Sequence, residues 1–255
     1  MRFQIWKTMN RKPADERAFL FLAGGGMLRR VANAFMGTTG MLVRLDHNSR
    51  KADGIGSAFL CHEAGYMLTC AHTFRLTDQL GVALPATQSD GFMPMQSEHA
   101  EVVLAQVAQY DAEHDVALLK LAPGTRTNFP SDAFLPEHEA EIGASVAYVG
   151  FPFPNQGQHA RHIGQSIISS KVLSPNGTRQ FQLDAMIHAG NSGGPVIDVA
   201  KARIMGIVSG RFSPVGVGGI RMMMNGQTIG SESAIGYAIS ISYGIDLLRA
   251  EGLHV

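Results

Sequence analysis

The stretch HAGNSGGPVID, residues 188–198, sets one serine, Ser192, among Gly190, Gly193 and Gly194, with Pro195 behind. Glycine loses more conformational freedom on folding than any other residue, so three of them around one hydroxyl suit a sharp turn or a close approach. Two readings fit. One is a glycine-rich hairpin turn; the other is a turn that holds a hydroxyl outward while flanking N–H groups face an incoming carbonyl oxygen. A serine hydroxyl is a weak nucleophile at neutral pH and needs a base within hydrogen-bond reach, plus a third group to orient that base. The sequence supplies candidates for both. His72 follows the apolar run of GYMLTCAHTF, where an imidazole stands at a strand end. Asp115 opens DVALLKL, where a carboxylate can be held half-buried and bond the ring. Taken singly, each has an ordinary structural explanation, as a strand-end histidine and a turn aspartate. Taken together with Ser192, they fall in the order His, Asp, Ser, one of three known chain orders for this triad and the one found on two β-barrels.

The elements that must position these groups are short. From about residue 40, β-type runs separated by turn residues occur at 40–45, 56–61, 66–70, 80–84, 101–109 and 115–121. Pro123, Pro130 and Pro136 then lie among polar residues in a stretch that reads as a linker, 123–140. A second set follows at 145–149, 163–173, 179–184, 195–198, 203–209 and 235–240. The pattern predicts an all-β fold of two six-stranded antiparallel barrels, 37–122 and 141–240, with a ligand-binding cleft between them. Residues 1–36 read as an N-terminal arm or helix, and 241–255 as a closing helix, with Ile245, Leu247 and Leu248 at near-helical spacing and Gly252 beyond.

At 255 residues the chain can bury a substantial core, and its 21 basic and 21 acidic residues give no overall field toward nucleic acid or an anionic membrane. Two cysteines, Cys61 and Cys70, cannot build a disulfide framework, so a reducing, cytoplasmic compartment is the expectation. The apolar run Ala18 to Leu28 is too short to span a bilayer. As an export signal to the periplasm it has a small-residue site at 32–34, but Asp15 and Glu16 precede it and Arg29 and Arg30 interrupt it. Cys61, His62, Cys70 and His72 do not match a zinc-finger spacing, and no metal or other cofactor is expected. His159 and His162 read as solvent-exposed loop residues.

The pieces GSAFLCHEAGYMLTCAHTF, HDVALLKL, YVGFPFP, LDAMIHAGNSGGPVID and AIGYAIS, in order from about residue 56 to 245, resemble the corresponding blocks of trypsin-fold serine proteases, specifically of the HtrA (Deg) branch. The resemblance implies an endopeptidase acting on protein or peptide substrates, with His72 as general base, Asp115 as its orienter and Ser192 as nucleophile. It assigns the oxyanion hole to the N–H groups of Gly190 and Ser192, while Gly193 and Gly194 keep side chains out of the turn. HtrA-type proteases usually have Asn and Pro where this chain has His188 and Ala189, so a less rigid turn is expected. They usually carry a PDZ domain after the closing helix, whereas this sequence stops at Val255, so a protease without one is expected. They are commonly trimers built through N-terminal aromatic contacts, which makes Phe19, Phe21 and Phe35 candidates for a homo-oligomer.

Trypsin-type zymogens are switched on when a new N-terminus pairs with an aspartate directly before the serine. Here that residue is Asn191, so no N-terminal trimming is expected, and any regulation falls to loop order or an activating partner. By resemblance the pocket for the residue before the scissile bond (P1) is walled by Met186, Ile187, His188 and Ala189 and by Ser209, Gly210 and Arg211, with Gly236 at its entrance or floor. Met186 and Ile187 offer no carboxylate to a basic side chain, so small or medium aliphatic residues are expected; Asp184 would reverse this if it turned into the pocket. The substrate backbone would add as a strand along 209–211. The long stretch 212–233, with Met222 to Met224, reads either as a specificity or partner loop or as a β-hairpin packed on the barrel. The competing reading of the whole is a catalytically silent trypsin-fold module that holds a peptide in the cleft.

Overall fold

The computed structural model describes residues 1–5, 26–46, 48–84, 92–123, 125, 127, 129–130, 132–211, 222–224, 227–229 and 235–255. Six strands close the first barrel: β2 (Thr39–Asp46), β3 (Lys51–His62), β4 (Tyr66–Thr69), β5 (Leu80–Ala83), β6 (His99–Asp111) and β7 (Val116–Leu121). Their order is β3-β2-β5-β6-β7-β4, and β4 pairs back onto β3. The second barrel is closed in the order β10-β15-β12-β11-β8-β9. Its strands are β8 (Ser145–Gly150), β9 (His162–Leu173), β10 (Arg179–Asp184), β11 (Pro195–Asp198), β12 (Arg203–Arg211) and β15 (Ile235–Ser240). All twelve expected strands are present, and the all-β double barrel stands.

Alternation along each strand explains why both faces are apolar. In β7, Ala117, Leu119 and Leu121 fill the first barrel, while Val116 and Leu118 face the seam between barrels. In β4, Met67 points inward and Leu68 to the seam. Side chains two apart share a face, so a fully apolar run here feeds two cores. The seam also takes Val149, Ile197, Ile207 and Ile239 from the second barrel. Helix α2 (Ile241–Ala250) closes it with Ile241 and Leu248, and the Ser240 hydroxyl accepts from the Ser242 N–H at the helix start. Emptying a site such as Leu118 by substitution with Ala would cost about 2–5 kcal/mol.

The regions outside the expected strands add local detail to the sequence reading. Residues 2–5 form a strand, β1 (Arg2–Ile5), which lies parallel to β6 from Arg2 opposite His99 to Ile5 opposite Val102. Four residues carry too little periodicity to announce a strand. Helix α1 (Met27–Phe35) sends Val31 and Phe35 into the seam, so Phe35 is buried in this chain's own core rather than free for a subunit contact. Phe19 and Phe21 lie outside the described residues, as does most of 212–233. Within that stretch β13 (Met222–Met224) pairs with β14 (Gln227–Ile229). The proline-bearing linker ends docked on the second barrel, where Leu135 N–H donates to Ile204 C=O at 2.8 Å and its side chain is fully buried.

Candidate active site

Each barrel contributes one half of the site. His72 sits in the single 3₁₀ turn after β4, Ala71–Thr73, and Asp115 in the turn before β7. Asp115 has φ of +59°, a left-handed conformation that costs a non-glycine residue free energy and persists where neighbours enforce it. Here they do. One carboxylate oxygen accepts the His72 backbone N–H at 2.8 Å, the other lies 2.7 Å from His72 Nδ1, and Asp115 C=O accepts from the Ala71 N–H at 3.2 Å. The preceding turn is pinned as well: Asp111 accepts from the His114 N–H at 3.0 Å and lies 2.7 Å from its Nδ1, while the His114 ring stacks on Tyr243 of α2 with centroids 4.1 Å apart. Burial opposes ionisation of Asp111, but the His114 backbone and ring outweigh it and hold that carboxyl below its usual range.

The other half is the turn before β11. Gly190 and Gly193 have φ of +93° and +86°. A Cβ on Gly193 would lie 2.1 Å from Ser57 C=O, and one on Gly190 would lie 2.3 Å from Phe151 C=O, so both the dihedral and the space demand glycine. Gly193 N–H donates to Val208 C=O and Val208 N–H to Gly194 C=O, both at 2.8 Å. Asn191 N–H is taken by His188 C=O at 3.1 Å. Among the described residues no acceptor meets the N–H of Gly190 or of Ser192. Phe153 N–H donates to Ala189 C=O at 2.7 Å; because carbonyl and N–H of a trans peptide point oppositely, this turns the Gly190 N–H away from Phe153.

Ser209 stands between the halves. Its hydroxyl donates to Asp115 Oδ2 at 3.3 Å, and its carbonyl accepts the Ser192 hydroxyl at 2.8 Å. His72 and Asp115 are therefore joined, whereas Ser192 is turned onto the Ser209 carbonyl and makes no hydrogen bond to His72. Giving its proton to the imidazole requires the Ser192 hydroxyl to leave the Ser209 carbonyl.

One residue that sequence reasoning missed ties these parts together. Ser57 of β3 is fully buried; its hydroxyl donates to Gly190 C=O at 2.7 Å and accepts from Phe151 N–H at 3.0 Å, and its N–H donates to Ser192 C=O at 2.8 Å. The signal was a lone hydroxyl inside the apolar run GSAFLC. A buried polar group in such a run must find partners, and here they lie on the other barrel.

Around the expected P1 pocket, Ile187 is 2 % exposed and packs on Gly236, where an added Cβ would approach Ile187 Cγ1 to 2.4 Å. Met186 is 38 % exposed, Asp184 is exposed, and His188 lies with its ring 5.0 Å from that of Phe153. Strand β12 pairs with β15 through Gly210 and Arg211, whereas β11 pairs with β12 only as far as Ile207. The second edge of 209–211 is thus unpaired by β11. Cys61 and Cys70 are both buried and free; burial pushes both thiols well up, and the Asp115 charge adds to this for Cys70. Ligand atoms of Cys70, His72 and Asp115 lie within 4.8 Å of one another. His159 lies in a loop but is half-buried, with its Nδ1 accepting from Ser97 N–H at 2.9 Å, whereas His162 is exposed as the sequence suggested but opens strand β9 rather than lying in a loop.

Residues 56–207, more than half the chain, match the family model for the trypsin-like peptidase domain. Among curated proteins the chain is 27 % identical over 210 residues to "Serine endoprotease DegS" of Haemophilus influenzae, covering 80 % of this chain and 52 % of the relative. It is 28 % identical over 172 residues to "Probable periplasmic serine endoprotease DegP-like" of Rickettsia conorii, covering 65 % of this chain and 30 % of the relative. The chain thus spans about half or less of the length of these relatives. The solved structure "HtrA-type protease AlgW with tripeptide" superposes with a TM-score of 0.65 at 22 % identity, covering 89 % of this chain and 63 % of that one. Among the described residues no helix is long and apolar enough to cross a membrane. The chain belongs to the trypsin-like peptidase domain family and within it is similar to the HtrA-type serine endoproteases.

Proposed function

We propose that the protein is a serine endopeptidase that cleaves protein substrates through an acyl-enzyme. The observation that carries this is the hydrogen-bonded His72 and Asp115, 2.7 Å apart, standing across Ser209 from a serine turn in which, among the described residues, two N–H groups have no acceptor. After rotation, the Ser192 hydroxyl gives its proton to His72 Nε2 as the oxygen bonds to the substrate carbonyl carbon. Asp115 holds the imidazole with its Nδ1–H toward the carboxylate and stabilises the imidazolium that forms. The carbonyl oxygen, now negative, accepts from the N–H groups of Gly190 and Ser192. The imidazolium then protonates the departing amine as the C–N bond breaks, and water repeats the sequence on the ester. The unpaired edge of 209–211 suits a substrate strand, with Ser209, Gly210 and Arg211 supplying its backbone partners. Ile187 on Gly236 narrows the P1 pocket, and Met186, His188 and Ala189 complete its wall without a carboxylate, which favours small or medium aliphatic side chains. The periplasmic naming of relatives favours an exported location over the cytoplasmic one.

The Ser192 to Ser209 hydrogen bond favours a second reading, in which the domain rests silent until a partner or substrate turns the hydroxyl. A fluorophosphonate probe tests both. Labelling at Ser192 that is lost in Ser192→Ala and in His72→Ala is expected of the enzyme. Folded protein that takes no label, alone or with peptide substrate, would refute it and leave the binding module.

A further inference from the structure

A cleft of about 400 Å³ adjoins the serine turn, and its lining includes none of Ser209–Arg211. Its inner end is lined by Gly190 and Ala189 of the serine turn and by Thr73, the residue after His72. Its walls are Ile55 of β3 and Pro154, and its outer rim carries Arg44, Asp53 and Asn155. The close approach of Pro154 builds the wall: a Cβ on Gly54 would lie 2.5 Å from Pro154 Cβ, and one on Gly190 would lie 2.2 Å from Pro154 Cδ. The Thr73 hydroxyl is committed to Cys70 C=O at 2.6 Å, which leaves its methyl beside Gly56. The cleft is therefore narrow and weakly polar near Ser192 and charged farther out.

Resting on the peptidase reading above, a chain that lies along 209–211 and crosses Ser192 must leave past Gly190 and Thr73, and this cleft is the exit. Among the described residues the ionic groups lining it are Arg44 and Asp53, paired across β2 and β3. Their contact is loose: Arg44 Nη2 lies 3.7 Å from Asp53 Oδ2, beyond hydrogen-bond range, and the side chains are 48 % and 61 % exposed. Among the described residues no other hydrogen bond or ion pair holds the Arg44 guanidinium, so its planar fork of donors is able to take a carboxylate on two N–H groups. Asp53 is the shorter side chain, and a cation that approached it would meet Arg44 first. We propose that this cleft binds the segment after the scissile bond and that Arg44 makes it select an acidic side chain two or three residues beyond the cut.

The test uses matched peptides with one cleavable site and Glu, Ala or Lys placed second or third after it, with kcat/KM measured for each. Selectivity is read as the Glu to Lys ratio within each variant, so that a general loss of activity cancels. Wild type should prefer Glu about two- to fivefold at low salt, an exposed charge pair being worth no more than roughly 1 kcal/mol, and 0.5 M salt should reduce the preference. Arg44→Ala, which leaves the Asp53 carboxylate alone at the rim, should bring the ratio to one or below, Arg44→Glu should lower it further, and Asp53→Asn should raise it. A ratio that stays the same in Arg44→Glu while the Ala peptide is still cleaved overturns the assignment of Arg44 and leaves the peptidase intact. Failure of wild type to cleave any of the peptides and to take the fluorophosphonate label strikes the peptidase reading, and this inference with it.

Discussion

The two halves of the site are held in different ways. The His72–Asp115 half is almost self-contained: both residues come from turns of the first barrel, and their mutual bonds, together with the Ala71 to Asp115 backbone bond, close the pair locally. The Ser192 half comes from the second barrel but is fixed largely by the first, through Ser57, and by β12, through Val208 and Ser209. The proposed acid–base pair is therefore preassembled, while the proposed nucleophile and its N–H donors depend on how the barrels dock. The proposed chemistry joins a rigid pair to an adjustable turn.

Substitutions in the two halves should fail differently. Gly193→Ala should be the most damaging, because it places a Cβ 2.1 Å from Ser57 C=O at a φ of +86°. Activity should fall below detection, and the turn or the barrel contact must shift at a cost of about 1–3 kcal/mol, read by chemical denaturation. Asp115→Asn should lower kcat by roughly 10³- to 10⁴-fold with little change in melting temperature, because an amide presents the wrong partner to Nδ1 while preserving shape. Full activity in Asp115→Asn would remove the first half from the mechanism.

Ser57→Ala probes the dependence of one half on the other. It strips a donor from Gly190 C=O and an acceptor from Phe151 N–H, both beside the serine turn, and should cost about 1–3 kcal/mol of stability. If the turn is positioned from the first barrel, kcat should drop about tenfold or more while KM holds, and Ser57→Thr, which keeps the hydroxyl, should recover part of it. A Ser57→Ala enzyme that loses stability but keeps kcat would show that the second barrel holds its own turn.

The halves also differed in how far they could be foreseen. Strand positions were legible because alternation and turn residues mark them, and the triad candidates because their residue types and order are restrictive. Ser57 was not legible as a bridge, since its partners are backbone groups some 94 to 135 positions away, and backbone groups leave no mark in a sequence. The resting hydroxyl of Ser192 was hidden for a related reason: a choice between staggered rotamers of one side chain depends on which acceptor the fold brings near. The wall made by Pro154 against Gly54 and Gly190 belongs to the same class, a close approach that is visible only once the barrels are packed.

The smallest expected effect lies outside the pair, where β1 and the loop at Ser97 meet His159. Burial lowers the pKa of His159 below its ordinary value, and its Nδ1 can accept the Ser97 N–H only while unprotonated. The unfolded chain, with the ordinary histidine pKa of about 6.5, binds a proton at a pH where the folded chain does not. Stability from this group is thus fully present above about pH 6.5 and is lost as pH falls through the lower folded value. Denaturation midpoints at pH 7.5 and 5.5 should show a decline in wild type that is shallower in His159→Gln, while the His72–Asp115 pair and the label at Ser192 are unaffected by the substitution. An equal decline in both proteins would place the acid sensitivity at groups other than His159, and not at Asp111, whose carboxyl is held low and gives up its contribution only at more acidic pH.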